Sequence, residues 1–146
     1  MQTLGHRLHD AARLLKREFE KRARGQTMTL LQWRVLGKLA MTDGLTQTAL
    51  GAKVEASPMT ISDILDRLEG QGLVRREPDP SDSRAKLVWI TEAADPIVAD
   101  LRAIADEVYA KALAGISPAD QEVLMRTLIK IATNLEASAE EKEAVS

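Results

Sequence analysis

The feature that most constrains the fold is a change in hydrophobic period after Gly72. Up to that point apolar residues recur every three or four positions, which is typical of amphipathic helices. Two short extended runs follow, residues 73–77 and 86–90, and the turn-rich segment 78–83 separates them. The helical period returns from about Thr91 to Ser138. We therefore predict a mainly α-helical chain that carries one small β-hairpin with a long loop.

The segment before the hairpin predicts three helices in succession. Residues 31–40 suit the first of them. Thr46 suits the N-cap of a short helix that ends near Val54, and Ser57 followed by Pro58 suits the start of the next helix. Two helices joined so tightly have the shape of a helix-turn-helix. Because the hairpin follows directly, the sequence predicts the winged version of this motif.

The composition excludes several classes of protein. The chain has 146 residues, which corresponds to about one domain of roughly 150 residues. It contains no Cys, so a disulfide framework, a thiolate zinc site and a Cys nucleophile are excluded. No apolar run approaches the ~20 residues of a membrane span, and the N-terminal segment lacks the apolar core of a signal peptide. We expect a cytoplasmic protein that does not associate with a membrane.

The net charge of −2 conceals a gradient along the chain. Residues 1–27 carry seven Lys or Arg against three acids, residues 28–91 carry eight of each sign, and residues 92–146 carry five bases against eleven acids. An acidic chain argues against a general nucleic-acid coat protein. Any nucleic-acid site must therefore be a focused basic patch.

The helix before the hairpin presents a face that can read DNA. With Ile61, Leu65 and Leu68 turned to the core, the opposite face carries mostly polar side chains. A helix fits the DNA major groove, which is about 12 Å wide, and can exchange hydrogen bonds with base edges there. The start of the helix offers free N–H groups to a phosphate. The candidate contacts are Pro58, Met59, Ser62, Asp63 and Asp66, with Arg67 on the flank.

The hairpin concentrates positive charge. Arg84 is expected at its tip, and arginine is favoured in a narrow, electronegative minor groove. Asp82 can fix the guanidinium of Arg84 in one orientation through a bidentate pair. The alternative is a solvated hairpin with an ordinary ion pair, worth about 0–1 kcal/mol. The basic cluster consists of Arg75, Arg76, Arg84 and Lys86.

These residues resemble the MarR family of winged-helix transcriptional regulators. Residues 72–91 run from Gly-Leu-Val-Arg-Arg through Asp-Ser-Arg-Ala-Lys to Ile-Thr-Glu, which is similar to the wing signature of that family. Residues 64–69, Ile-Leu-Asp-Arg-Leu-Glu, resemble the end of its recognition helix, and the resemblance covers nearly the whole chain. The Ala-Lys pair at residues 85–86 and the Gly-Ile-Ser break at residues 115–117 are most similar to the SlyA-like branch.

The resemblance implies a single MarR-type domain, residues 1–146, that acts as a homodimer on double-stranded DNA. Residues 28–91 would form the winged helix-turn-helix lobe, and residues 1–27 and 92–146 would form the dimerisation helices. The recognition helices would enter successive major grooves of a palindromic operator, and the wings would enter the flanking minor grooves. The terminal apolar stripes also favour a dimer, because unused stripes are exposed patches. A self-contained helical bundle is the alternative.

The same resemblance assigns roles to individual residues. It implies that Arg84 is the minor-groove residue and that Asp82 orients it. It also implies a groove-facing set, Pro58, Met59, Ser62 and Asp63, and a set that contacts phosphate or braces the wing, Arg67, Arg75 and Arg76. Some relatives carry a base-reading arginine where this chain has Ser62. The resemblance therefore does not transfer a base preference to that position.

Two further features concern small ligands. In the family, a cavity beside the dimerisation helices can hold a small aromatic or phenolic acid, and His9, Arg13, Arg17 and Trp33 are candidates to line it. Ordinary core packing is the alternative for Trp33. His6 and His9 have the spacing of a metal pair, but the chain has no further His and no Cys, so we predict no metal and no cofactor.

The sequence thus favours a sequence-specific DNA-binding repressor or activator that a small ligand releases, with a repressor as the preferred interpretation. One alternative is a helical protein-interaction module that uses its winged helix to bind protein, and another is DNA binding without ligand control. An enzyme is not predicted, because no nucleophile elbow, P-loop or dinucleotide fingerprint is present.

Overall fold

Hydroxyl side chains set the start of most helices in the computed structural model, which describes residues 1–24 and 28–145. A side-chain oxygen at each N-cap accepts a backbone N–H of the first turn, which would otherwise lack a partner. Thr46 accepts the N–H of Ala49 at 3.1 Å, and Ser57 accepts the N–H of Thr60 at 3.2 Å. The predicted caps at Thr46 and Ser57 are confirmed. The other hydroxyl caps are Thr3, Thr29 and Ser117.

The elements follow the predicted order of helices and hairpin, with one additional short strand. They are α1 (Leu4–Arg22), α2 (Leu30–Met41), β1 (Leu45–Thr46), α3 (Gln47–Lys53), α4 (Pro58–Gly70), β2 (Val74–Asp79), β3 (Asp82–Ile90), a 3₁₀ turn (Glu92–Ala94), α5 (Asp95–Ala112) and α6 (Pro118–Val145). The mainly helical fold with a small β wing is confirmed. The last helix extends beyond the predicted Ser138, and the turn at residues 92–94 delays the start of α5.

The helix-turn-helix consists of α3 and α4. The chain passes between them through Glu55, whose φ of 57° lies in the left-handed region, and the N–H of Ala56 donates to the carbonyl of Gly51 at 2.9 Å. One face of α4 is buried against α2, α3 and the sheet, as the apolar spacing predicts. The core of this lobe is formed by Val35, Leu36, Leu39, Leu50, Val54, Ile61, Ile64, Leu65, Leu68, Leu73, Val74, Val88 and Ala94.

The wing is a three-stranded antiparallel sheet in the order β1-β3-β2. β1 pairs with β3 through Leu45 opposite Val88, a strand that the sequence analysis missed because two residues show no alternation. The predicted long loop over residues 78–83 is wrong. β2 and β3 pair as far as Asp79 opposite Asp82, so that Pro80 and Ser81 alone connect them.

The side chain of Asp79 accounts for this tight connection. Its Oδ1 accepts the backbone N–H of Ser81 at 2.9 Å and the Ser81 hydroxyl at 2.8 Å, which closes the turn. These hydrogen bonds hold the pKa of the Asp79 carboxyl below its usual value. A register shift between Pro78 and Asp79 leaves residues 83–85 of β3 outside the paired register. The wing is therefore longer and its tip narrower than the sequence predicts.

Gly44 lies immediately before β1, where the chain enters the sheet of the wing. Its φ is 70°, and its N–H donates to the carbonyl of Val88 at 3.1 Å. The indole ring of Trp89 lies directly over it, so that a Cβ at this position would stand 2.6 Å from Cη2 of the ring. A side chain at residue 44 would therefore displace either the turn or the wing strand.

We expect Gly44→Ala to lower the free energy of unfolding by about 2 kcal/mol, because the new methyl group meets both a left-handed backbone and a rigid ring. Gly72→Ala is the matched control, since Gly72 has a φ of 76° but open space around its Cβ position. Gly72→Ala should lower the free energy of unfolding by about 1 kcal/mol, because only the cost of a left-handed backbone applies there. Urea unfolding at one protein concentration measures both. Equal losses in the two variants would show that the Trp89 ring moves freely.

The chain divides into two compact units, residues 1–108 and 109–146. In the first, α1 is connected to α2 by an edge-to-face contact of Phe19 with Trp33, whose centroids are 6.3 Å apart. In the second, α6 is apolar and exposed at Leu124 and Ile129, among others. The predicted boundary after residue 27 falls at residues 25–27, outside the described residues.

Candidate nucleic-acid interface

Helix α4 has a buried face and an open face. Met59 is 77% exposed, Pro58 and Asp63 are exposed, and Ser62 is half-buried. Pro58 occupies the first turn, where its missing N–H costs no hydrogen bond. All four side chains that the sequence analysis placed in the groove therefore lie on the side of α4 away from the core.

A cleft of about 430 Å³ separates this open face from the wing. Ser62 and Asp66 of α4 line one side, and Arg84 and Lys86 of β3 line the other. Hydroxyl, carboxylate and cationic groups thus meet at one concave surface. The complete lining is Gln47, Thr48, Gly51, Ala56, Pro58, Ile61, Ser62, Asp66, Arg76, Arg84, Ala85 and Lys86.

Gln47 and Thr48 are cleft residues that the sequence analysis missed. They form the first turn of α3, directly after the N-cap Thr46. Their position was readable from the sequence, because the cap predicts where the helix begins. What the sequence could not show is that this turn faces the wing.

Arg84 is exposed at the start of β3, close to the tip of the wing. The Oδ1 atom of Asp82 accepts the backbone N–H of Arg84 at 3.0 Å. Among the ion pairs of the described residues, none joins Asp82 to the Arg84 guanidinium. Asp82 thus holds the main chain at the base of the Arg84 side chain, whereas the sequence analysis predicted a bond to the guanidinium. The guanidinium is left available to a ligand.

Arg76 of β2 contacts both helices of the helix-turn-helix. Its Nη2 atom lies 2.6 Å from Oδ1 of Asp66 and 3.0 Å from Oε1 of Glu69, and its Nη1 atom donates to Gln47 at 3.4 Å. Its backbone N–H donates to Oε2 of Glu69 at 3.0 Å. The hydrogen bond from Arg76 lowers the pKa of Glu69, and the bond to Glu69 raises the pKa of Arg76. Of the two roles predicted for this arginine, the contacts fit the brace.

Arg75 points to the other face of the wing. Its Nη1 atom lies 2.8 Å from Oε2 of Glu77, and its guanidinium carbon lies 5.5 Å from the centre of the Trp89 ring. A cation over an indole at this distance is attracted to the ring electrons. Trp89 is therefore half-buried. Gly44 lies against one side of its ring, and the guanidinium of Arg75 lies against another. Arg67 is exposed on the flank of α4, as predicted.

The four residues predicted to line a ligand cavity are distributed over two environments. Trp33 is 2% exposed and packs against Phe19, whereas His9, Arg13 and Arg17 are exposed on α1. Arg13 lies 3.8 Å from Asp10. In the described part of the chain, no hydrogen bond, ion pair or ring contact joins Trp33 to the other three.

Two further features considered in the sequence were a histidine pair with the spacing of a metal site and a membrane span. His6 shares a 2.7 Å hydrogen bond with the hydroxyl of Thr3 at the start of α1. Within residues 1–24 and 28–138, no three His, Asp or Glu side chains lie close enough to hold a metal ion. None of the described helices is both long and apolar enough to span a membrane.

Comparison with known proteins places this geometry in a family. The MarR family profile matches residues 28–86, which cover the helix-turn-helix and most of the wing. The transcriptional regulator HosA of Escherichia coli O111:H- is 35% identical over 104 residues, 71% of this chain and 77% of HosA.

Solved structures share the architecture. Transcriptional regulator PA3341 superposes with a TM-score of 0.81 at 35% identity, over 92% of this chain and 99% of that one. BpsR of Bordetella bronchiseptica superposes with a TM-score of 0.74 at 21% identity, over 90% and 99% of the two chains, which shows the common fold alone. Assignment to the SlyA-like branch stays a prediction. With the identity to HosA and PA3341 extending over most of each, the chain belongs to the MarR family of transcriptional regulators.

Proposed function

We propose that the protein is a sequence-specific regulator that binds a palindromic double-stranded DNA operator as a homodimer and represses transcription. The observation that carries this proposal is the cleft between α4 and the wing, which the Ser62 hydroxyl lines together with the cations Arg84 and Lys86. A surface that combines hydrogen-bonding groups with cations suits DNA, because the first read bases and the second attract phosphates. No catalytic role is proposed.

Each lobe would contact two grooves. The open face of α4 would enter the major groove with Met59, Ser62 and Asp63 towards the base edges. The exposed guanidinium of Arg84 would enter the neighbouring minor groove, where arginine is favoured. Arg67 and Lys86, both exposed, would lie near phosphates. Pro58 at the start of α4 would let the free N–H groups of the first turn approach a phosphate.

Dimerisation through the terminal helices is supported by their exposed apolar side chains. Covering such a surface removes apolar area from water and so stabilises the assembly. In a two-fold dimer, the same patch is covered on both subunits. Two lobes joined in this way can address half-sites about 34–36 Å apart. The exposed apolar residues include Leu4, Leu8 and Leu14 on α1 and Val123, Leu124, Met125, Leu128, Ile129 and Leu135 on α6.

We further propose that a small aromatic or phenolic acid controls this binding. The DNA binding of BpsR, which shares the fold, is regulated by 6-hydroxynicotinic acid. The proposed contacts here are His9, Arg13 and Arg17, which are exposed on α1, and Trp33, which is buried against Phe19. Such an effector acts only if it prefers one spacing of the two lobes over another.

Selection of bound sites from random duplex DNA tests the proposal. We expect a palindrome whose half-sites are one helical turn apart, with an affinity that falls steeply with salt, by a log–log slope of about 0.9 for each phosphate contact. Recovery of no common site, together with salt-dependent binding to an acidic protein, would favour the protein-interaction module. If DNA binds but no aromatic acid shifts the affinity, regulation by an effector is wrong.

We expect Ser62→Ala to change base preference more than overall affinity. The substitution removes one hydroxyl from the proposed major-groove face and leaves every cation in place. The preferred base at one position of each half-site should lose about 1 kcal/mol of its advantage. Repeating the selection with the variant measures this change, and binding to an unrelated duplex serves as the control. An unchanged selected site would remove Ser62 from the base-reading set.

A further inference from the structure

Arg76 lines the same cleft as Arg84 and Lys86, but its charge is already matched by two carboxylates. Its side chain is 12% exposed, whereas its two acidic partners, Asp66 and Glu69, are 61% and 41% exposed. The Arg76 side chain is thus mostly covered, whereas both carboxylates remain in contact with solvent. Because Asp66, Glu69 and Gln47 already bond its Nη atoms, the guanidinium is better placed to cancel the charge of its neighbours than to bind a phosphate.

This cancellation matters because of where Asp66 lies. Asp66 lines the same cleft as Arg84 and Lys86, the cations assigned to DNA. An uncompensated carboxylate close to a phosphate backbone repels it, and like charges placed together at an interface are costly. Arg76 is bound to the carboxylate of Asp66 at 2.6 Å. The field in the cleft therefore depends on a residue that need not touch the ligand.

The same guanidinium connects three elements. It bonds Gln47 of α3 and the two acids of α4, while its backbone lies in β2 opposite the buried Val88 of β3. β3 carries Arg84 and Lys86. The distance between the recognition helix and the cations of the wing is thus constrained by a short network of charged hydrogen bonds.

We infer that Arg76 is a positioning residue of the DNA interface, which acts by neutralising Asp66 and Glu69 and not by a contact of its own with DNA. The inference rests on the proposed function. An indirect role of this kind and a direct phosphate contact predict different DNA affinities when the two acids are removed as well. If Arg76 acts through the two acids, removing the acids as well should compensate for its loss.

Binding to the selected operator is compared for three proteins. We expect Arg76→Met to weaken binding by tenfold or more, because two carboxylates become unpaired beside the cleft. The triple variant Arg76→Met, Asp66→Asn, Glu69→Gln should recover to within about threefold of the wild type. The control Arg34→Met removes one positive charge from an exposed position on α2 and should bind normally. A triple variant as weak as Arg76→Met would overturn the inference.

A titration of the free protein separates this inference from the proposed function. Carboxyl NMR should find the pKa of Glu69 below its usual range in the wild type, where Arg76 and, more weakly, Lys86 stabilise the charged form. In Arg76→Met that pKa should rise. An unchanged pKa would show that the ion pair does not form in solution and would overturn the role of Arg76, even if DNA binds. A wild type that binds no duplex, with the pKa difference present, would overturn the proposed function and with it any role of Arg76 at DNA.

Discussion

Arg84→Ala is expected to weaken binding to the proposed operator by roughly 100-fold while the fold and the proposed dimer stay intact. The Arg84 guanidinium is exposed at the wing, and no ion pair of the described residues occupies it, so its loss should leave the free protein unchanged. In the complex, each wing should lose about 1–2 kcal/mol of contact. A homodimer loses this energy twice, and 1.4 kcal/mol corresponds to a tenfold change.

Fluorescence anisotropy with the selected duplex measures this effect, and size-exclusion chromatography checks the dimer. Asp82→Ala is an informative companion, because Asp82 holds the backbone N–H of Arg84 rather than its guanidinium. It should weaken binding less than Arg84→Ala does, since the cation is still present. Affinity of Arg84→Ala equal to that of the wild type would remove the wing from the proposed mechanism.

Leu65→Ala is expected to lower the free energy of unfolding by about 3 kcal/mol. Leu65 lies on the side of α4 that faces the core, and its side chain is 0% exposed. Truncation of a fully buried leucine removes its contacts and leaves a cavity, which costs about 2–5 kcal/mol in total. The loss is a large share of the stability of a domain of this size, so the variant should unfold at much lower urea concentration.

Met59→Ala is the matched control on the opposite face of the same helix. Met59 is largely exposed, so its truncation should change the unfolding free energy by no more than about 0.5 kcal/mol. Circular dichroism at one protein concentration follows both variants, because the stability of a dimer depends on concentration. A Leu65→Ala loss below 1 kcal/mol would mean that α4 does not pack on the core through this face.

Local chemistry made much of the fold predictable. Thr46 and the Ser57-Pro58 pair mark helix starts. The hydroxyls of Thr46 and Ser57 each accept an N–H of the first turn, and Pro58 has no N–H that would need a partner. The spacing of Ile61, Leu65 and Leu68 assigns the two faces of α4 without reference to any other element. Such signals depend on residues within four positions of one another, so the sequence alone is sufficient to read them.

The features that the sequence did not predict depend on distant contacts. β1 is a strand only because Leu45 meets Val88, more than forty positions away. Arg76 is a brace because Asp66 and Glu69 of a helix come beside a strand, and the sequence offered phosphate contact as an equal role. The length of the wing depended on the Asp79–Ser81 turn, which is local but has no distinctive spacing.

The two tryptophans of the chain lie in separate surroundings, Trp33 against Phe19 in the interior and Trp89 on the wing under Arg75. Indole fluorescence can therefore be assigned to one place at a time. A Trp33→Phe protein would emit from the wing alone, and a Trp89→Phe protein from α2 alone. Stopped-flow mixing of the two proteins with operator and with an aromatic acid would then show which part of the molecule responds first.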